Sequence, residues 1–97
     1  MKGKTTPLLR NCPDAKAFTV ANGAVFRNYA DLLDGLKRMD DHAFDKHVNQ
    51  DGNHFKNWVQ HVWSDDKLAR EFELQPHRLK MASAVSRRLR SLAERHG

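Results

Sequence analysis

The six histidines of this 97-residue chain are its first candidates for metal ligands. Three of them, His47, His54 and His61, recur every seven residues. On one helix, His54 and His61 would lie about 10.5 Å apart along the axis at 1.5 Å per residue. One ion with bonds of about 2.0 to 2.1 Å to nitrogen cannot bridge that distance. We therefore expect no metal site and no cofactor, and surface histidines on the polar face of a helix.

A polar cluster surrounds one of these histidines, with His47, Asn49, Asp51 and Asn53 close together in the chain. Such a loop could bind a small polar ligand or the backbone of a partner. Asn and Asp side chains also cap helices and satisfy turn amides, and a histidine on the inner face of a short helix is usually hydrogen-bonded. We favour the second, structural interpretation.

Catalytic groups are weakly represented. The adjacent acids Asp40-Asp41 and Asp65-Asp66 would diverge by about 100° on a helix, and helix capping accounts for both pairs. Cys12 has no neighbouring histidine and no predicted helix start that would lower its thiol pKa. A glycine-rich phosphate loop and a Gly-x-Ser-x-Gly elbow are both missing from the sequence. We predict no catalytic residue, and the single cysteine suits a reducing, cytoplasmic compartment.

The basic residues are concentrated at the two ends of the chain, which carries a formal net charge of +5. Residues 17–76 hold seven basic and ten acidic side chains, a net charge of −3. Residues 1–16 hold four basic side chains against one acid, and residues 77–97 hold six against Glu94 alone. Attraction to phosphate should therefore be a property of the termini.

The last segment, residues 77–97, has the pattern of a basic amphipathic helix. Its apolar stripe consists of Met81, Ala82, Val85, Leu89 and Leu92. Lys80, Arg87 and Arg90 lie on the face opposite that stripe, and Arg88 and Arg95 lie at its margin. These five residues, with Lys2 and Lys4 of the N-terminal tail, are predicted to contact nucleic-acid phosphate without sequence specificity. A solvated basic face on an ordinary packing helix explains the same residues. Both interpretations stay open.

A protein-protein interaction module is the alternative function. Trp58 and Trp63 flank the apolar stripe of one helix on opposite sides, and an exposed tryptophan could anchor a partner. A large, half-buried core aromatic is the commoner outcome at such positions. The seam of Val85, Leu89 and Leu92 could dock on a second copy and form a homodimer. A membrane role is not expected, because no apolar run approaches the roughly 18 residues that span a bilayer.

The elements that must position these residues are mostly helical. The composition of residues 1–16 predicts a flexible or irregular tail. The apolar runs on either side of Asn22-Gly23 predict a short β-hairpin with a tight turn. Helical periodicity follows, and the caps predicted for four helices are Asn28, Asp40, Asn53 and Asp65. The sequence predicts a single helical domain over residues 17–97, a compact bundle of about four to five short helices with an N-terminal hairpin.

A set of motifs in the middle of the chain resembles a known pattern: His47-Val48-Asn49, Asn53-His54-Phe55, Trp58-Val59 and Leu68-Ala69. The pattern is similar to that of an uncharacterised family of small prokaryotic domains, with the signature His-Val-Asn, Asn-Asp-Phe-x-x-Trp-Ile and Asp-x-x-Leu-Ala. The resemblance covers residues 17–72 and implies a compact, mostly helical fold and no activity. Position 54 departs from it, since His54 stands where an acid is usual, which counts against a role that needs that carboxylate.

Overall fold

The computed structural model describes residues 10–21 and 23–96, with side chains as far as Glu94. In these residues the chain forms a mostly helical bundle with a short hairpin at its N-terminal side, which confirms the predicted fold class. The elements are β1 (Phe18–Thr19), β2 (Val25–Phe26), α1 (Tyr29–Arg38), α2 (Asp41–Asp45), β3 (Val48–Asn49), β4 (Gly52–Asn53), α3 (His54–His61), α4 (Asp66–Leu74) and α5 (Arg78–His96).

Side-chain caps begin the first four helices, as the sequence predicts. Each capping oxygen accepts a hydrogen bond from the backbone N–H three residues further on, at 2.7 to 3.2 Å; the capping residues are Asn28, Asp40, Asn53 and Asp65. A cap of this kind satisfies a backbone donor that has no partner within the helix, and it stabilises the helix by about 1 kcal/mol. The four helix starts are therefore set by local chemistry.

The first hairpin pairs Phe18 with Phe26 in antiparallel register. Asn22 of the predicted Asn22-Gly23 turn lies outside the described residues. Beside the turn, the Val20 N–H donates to the Ala24 oxygen at 2.8 Å. Gly23 has a φ of +96°, a conformation that L side chains rarely adopt and that glycine takes at little cost.

A second two-stranded hairpin, β3 with β4, is absent from the sequence prediction. It pairs Val48 with Asn53 and Asn49 with Gly52, so residues 50 and 51 make the turn. Two-residue strands carry no alternation of apolar and polar residues, and the same residues read equally well as a helix break. This hairpin brings the start of α3 back beside the end of α2.

The core lies where α1 packs on α5 and α3 packs on α4. Its largest fully buried side chains come from four helices: Tyr29, Leu32 and Leu36 of α1, Phe55 and Val59 of α3, Leu68 and Phe72 of α4, and Met81 and Val85 of α5. These are the positions that helical periodicity predicts to face inward. The final helix is therefore a core element and not an appended arm.

The segment before the first hairpin is irregular and docks on this core. Residues 14–16 form a single 3₁₀ turn, and Cys12 is buried. The Cys12 N–H donates to the Arg27 oxygen at 2.8 Å, and Trp58 Nε1 donates to the Lys16 oxygen at 2.8 Å. Two hydrogen bonds and one buried thiol therefore attach this part of the N-terminal tail to α3 and to the segment between β2 and α1.

Candidate functional site

Arg88 lies in a buried ion pair and not on the outer basic face. Its Nε donates to Asp65 Oδ2 at 2.9 Å, and the two side chains are 14% and 1% exposed. Breaking a buried pair by removing one partner costs about 3 to 5 kcal/mol, so the guanidinium is not free to turn toward a phosphate. This corrects the expectation for Arg88, which joins α5 to the start of α4.

Tyr29 completes a triad with this pair. Its hydroxyl donates to Asp65 Oδ2 at 2.8 Å, while Asp65 Oδ1 caps α4 by accepting from the Leu68 N–H. Burial, the hydrogen bond to Asp65 and the negative charge of that carboxylate together raise the pKa of Tyr29 above its usual range. The tyrosine therefore remains a hydrogen-bond donor, and the triad connects α1, α4 and α5.

Arg78, at the start of α5, closes the end of α1. Its Nη1 donates to the Leu36 oxygen at 2.7 Å and to the Lys37 oxygen at 3.2 Å, and its Nε lies 3.4 Å from Asp41 Oδ1. The last carbonyl groups of a helix lack partners within it, and a cation there is favourable. Arg78 is therefore, after Arg88, the second cation of residues 77–97 that is bound to groups of its own chain.

Arg87 is paired but still accessible. Its Nη2 donates to Glu71 Oε1 at 2.7 Å, and the arginine side chain remains 60% exposed. An exposed ion pair of this kind contributes about 0 to 1 kcal/mol. A phosphate could therefore replace the Glu71 carboxylate at small cost.

The other residues predicted to contact phosphate divide into two groups. Lys80 and Arg90 are exposed on α5. Lys2, Lys4 and the side chain of Arg95 lie outside the described residues.

A groove between α4 and α5 collects cations from both helices. It consists of two adjoining cavities that share Glu71, Leu74 and Arg87. Lys67, Arg70 and Ser91 border one cavity, and Lys80 and Ser83 border the other. We call it the α4–α5 basic groove. Its α5 residues recur at three- and four-residue steps and so share one face of the helix. Glu71 and Arg88 also line the groove. Since Arg88 is paired with buried Asp65, four cations remain against one acid.

Sequence reasoning missed Lys67 and Arg70 because residues 17–76 are acidic on average. Helical spacing was the signal that could have found them, since positions 67, 70, 71 and 74 fall on one face. Only the packing of α4 beside α5 places them in one cavity with Arg87 and Ser91.

The polar cluster after α2 is occupied with hydrogen bonds of the chain itself. Asn53 caps α3, and its Nδ2 donates to the Phe72 oxygen at 3.3 Å. Asn49 Nδ2 donates to the Asp45 oxygen at 3.0 Å, while its Oδ1 accepts from the Asp51 N–H at 2.9 Å. These bonds are those of turns and caps, as the favoured structural interpretation requires.

His47 is half-buried and contacts two other elements. Its Nε2 accepts from the Ala21 N–H at 3.0 Å, and its Nδ1 lies 3.2 Å from His54 Nδ1. Burial and the nearby His54 and Lys46 charges lower the pKa of His47. Within the described residues, no group of three or more His, Cys, Asp or Glu side chains is placed to hold a metal ion.

The tryptophans offer little surface to a partner. Trp58 is 7% exposed, and half-buried Trp63 packs its ring on Tyr29 and Trp58, with centroids 5.4 and 5.8 Å apart. The structure therefore agrees with the role of core aromatics and counts against a contact surface at these two residues. Trp63 lies beyond α3, which ends at His61, and packs on α1 through Tyr29, whereas Trp58 packs on Trp63 and on Phe18 of β1.

The seam of α5 is likewise internal, which corrects the expectation that it docks on a second copy. Val85 and Leu92 are buried, and Leu89 packs against the core. The exposed large apolar side chains at this end of the domain are instead Leu74, at 63%, and Leu79, at 60%. Leu74 lines the α4–α5 basic groove.

Cys12 is buried, and burial raises the pKa of its thiol. A thiol in this state is a poor nucleophile because little of it is thiolate near neutral pH.

Comparisons with protein-family models, with curated proteins and with solved structures give no match for the chain. The resemblance to the prokaryotic domain family therefore stays a prediction. Among the helices that the structure describes, none combines the length and hydropathy needed to span a bilayer.

Proposed function

We propose that this protein is a non-enzymatic domain that contacts the phosphate backbone of nucleic acid through the α4–α5 basic groove. The observation that carries the proposal is that Lys67, Arg70, Lys80 and Arg87 line two adjoining cavities between the same two helices, with Arg87 common to both. Cations along such a groove can each neutralise one phosphate and release its counterions.

Hydroxyl groups add to this chemistry. Ser83 and Ser91 line the groove beside Arg87, and serine side chains are common donors to phosphate oxygens. The groove residues named here include no aromatic side chain on which a base could stack, so we expect affinity without sequence preference. Exposed Arg90 on α5 adds a further positive charge.

The test is the salt dependence of binding to a labelled duplex of about 20 base pairs, measured by fluorescence anisotropy. Four phosphate contacts predict a slope of log affinity against log salt of about −3 to −4. The double variant Lys67→Ala/Arg70→Ala should reduce the slope by about 2. Its matched control is Lys37→Ala/Arg38→Ala, which removes the same charge from exposed positions on α1. An equal reduction of the slope in both variants, or no binding of the unmodified chain at low salt, would contradict the proposal.

Point variants are preferable to deletion of residues 77–97, because Met81, Val85 and Leu92 are buried in the core. A second double variant, Lys80→Ala/Arg87→Ala, tests the α5 side of the groove. It should lower the slope as much as the α4 variant does if both helices contact one nucleic acid.

A protein partner is the second candidate function, and the exposure of Leu74 and Leu79 is the observation that favours it. Apolar side chains surrounded by cations suit an acidic, amphipathic segment. Leu79→Ser should leave nucleic-acid binding unchanged under the first function, because Leu79 is exposed and does not line the groove. Binding of an acidic amphipathic peptide that Leu79→Ser weakens, without affinity for nucleic acid, would support the second.

A further inference from the structure

The tip of the first hairpin is held by a pair of histidines, His47 between α2 and β3 and His54 at the start of α3. The Ala21 N–H donates to His47 Nε2 at 3.0 Å, and His47 Nδ1 meets His54 Nδ1 at 3.2 Å. The backbone then ties the two histidines together, since the His54 N–H donates to the His47 oxygen at 2.7 Å.

These contacts determine where the ring protons lie. Since Nε2 of His47 accepts from a backbone N–H, the proton of neutral His47 must be on Nδ1. That Nδ1–H donates to His54 Nδ1, so the proton of His54 is on Nε2. Two hydrogen bonds are thus formed by a pair that carries one proton on each ring.

A further proton cannot be added without breaking one of these bonds. Protonation of His47 places Nε2–H against the Ala21 N–H, so two donors face each other. Protonation of His54 places Nδ1–H against the Nδ1–H of His47. The second conflict is relieved only if His47 moves its own proton to Nε2, which again breaks the bond to Ala21.

The surroundings of His47 offer no compensation for a positive charge. His54 from α3 and Lys46 from the end of α2 are the charged groups that act on it, and both oppose a further cation. The hairpin, residues 17–26, contains no titratable side chain. Its contribution to the environment of the ring is apolar, since the Phe18 ring lies 5.1 Å from His47, centroid to centroid.

We propose that His47 and His54 form a proton-sensitive latch that holds the tip of the first hairpin at neutral pH and releases it on acidification. Release would separate Ala21 from His47 and uncover the Phe18 ring, which stacks on Phe55 at a centroid distance of 4.9 Å. The lowered pKa of His47 supports the same direction, because it means that the folded domain prefers the neutral ring. The latch is independent of the α4–α5 basic groove.

The first test is the protonation pattern of the two rings, read from imidazole nitrogen NMR shifts of the full chain at about pH 7.5. The expected pattern is a proton on Nδ1 of His47 and on Nε2 of His54. A proton on Nε2 of His47 at that pH would overturn the proposal, whatever the behaviour of any variant.

The second test follows the Ala21 amide from about pH 8 to about pH 5. Uptake of one proton on opening predicts that the open-to-closed ratio of the hairpin rises about tenfold per pH unit as the pH falls from 6.5, the ordinary pKa of the imidazole, to the lowered pKa of His47 in the closed state, and is constant below that pKa. His47→Gln, whose side-chain oxygen can accept from Ala21 without titrating, should abolish this dependence. His61→Gln, an exposed position on α3, is the matched control and should titrate like the unmodified chain. An Ala21 amide that titrates identically in both variants would refute the latch.

Discussion

Replacement of Asp65 by alanine should destabilise the domain more than any other single removal of a charge among the described residues. The side chain of Asp65 is 1% exposed and has three partners: the Tyr29 hydroxyl, Arg88 Nε and the Leu68 N–H. Asp65→Ala leaves a cation unpaired at 14% exposure and a hydroxyl unpartnered in a tyrosine that is 0% exposed. The same change also removes the cap of α4.

The magnitude follows from these losses. Removing one partner of a buried ion pair costs about 3 to 5 kcal/mol, and loss of a helix cap about 1 kcal/mol. The two costs overlap, and Arg88 can partly turn toward water, so we expect a loss of about 4 kcal/mol. The total stability of a chain of this length is about 5 to 15 kcal/mol, so the loss is a large part of it.

Urea unfolding followed by tryptophan fluorescence measures this loss. The control is Asp34→Ala, which breaks an ion pair with Arg38 in which the side chains are 62% and 79% exposed, and which should cost about 0.5 kcal/mol or less. If Asp65→Ala does not fold, Tyr29→Phe removes one charge-assisted hydrogen bond and should cost about 1.5 to 3 kcal/mol. Comparable midpoints for Asp65→Ala and Asp34→Ala would refute the structural role assigned to the triad.

Three further measurements test other parts of the structure. The chain has one tyrosine, so the tyrosinate band in its ultraviolet difference spectrum reports on Tyr29 alone. Because the pKa of Tyr29 is raised in the folded domain, its contribution to folding stability is present below about pH 10 and is lost as the pH rises above it, and tyrosinate should form only on unfolding. Reversible ionisation near pH 10 in the folded state would contradict this. Gly35→Ala should destabilise the domain by about 1 kcal/mol, measured by urea unfolding. The added Cβ overlaps the Phe26 ring, and the overpacking cost of about 1 to 3 kcal/mol exceeds the helix-propensity gain of about 1 kcal/mol. A stabilised variant would show that the Phe26 ring moves freely. Cys12 should react with a thiol reagent about tenfold or more slowly in the native chain than in urea, because it is buried and its pKa is raised, and equal rates would mean that residues 10–16 are not docked.

Much of the fold was predictable because its signals are local. The caps at Asn28, Asp40, Asn53 and Asp65 bond to amides three residues away, and the apolar faces of the helices follow from their own periodicity. The second hairpin was not predictable, since strands of two residues have no pattern of their own.

The candidate site was predictable only in its chemistry. Residue types showed that basic side chains are concentrated in residues 77–97, but they could not show which of these are free. Arg78, Arg87 and Arg88 have partners between 16 and 42 positions away along the chain. Whether an arginine meets solvent or a carboxylate depends on how two helices pack, and no local pattern carries that information.

The sequence by itself determined a helical domain, the starts of its first four helices and an excess of positive charge in its last segment. Only the tertiary structure decided that Arg88 is buried against Asp65, that Lys67 and Arg70 lie beside the α5 cations, and that His47 meets His54 and the hairpin tip. The physical reason is the distance along the chain over which each interaction acts. Capping and periodicity act within a few residues, whereas ion pairs, grooves and hydrogen bonds between side chains form between segments that are distant in the chain.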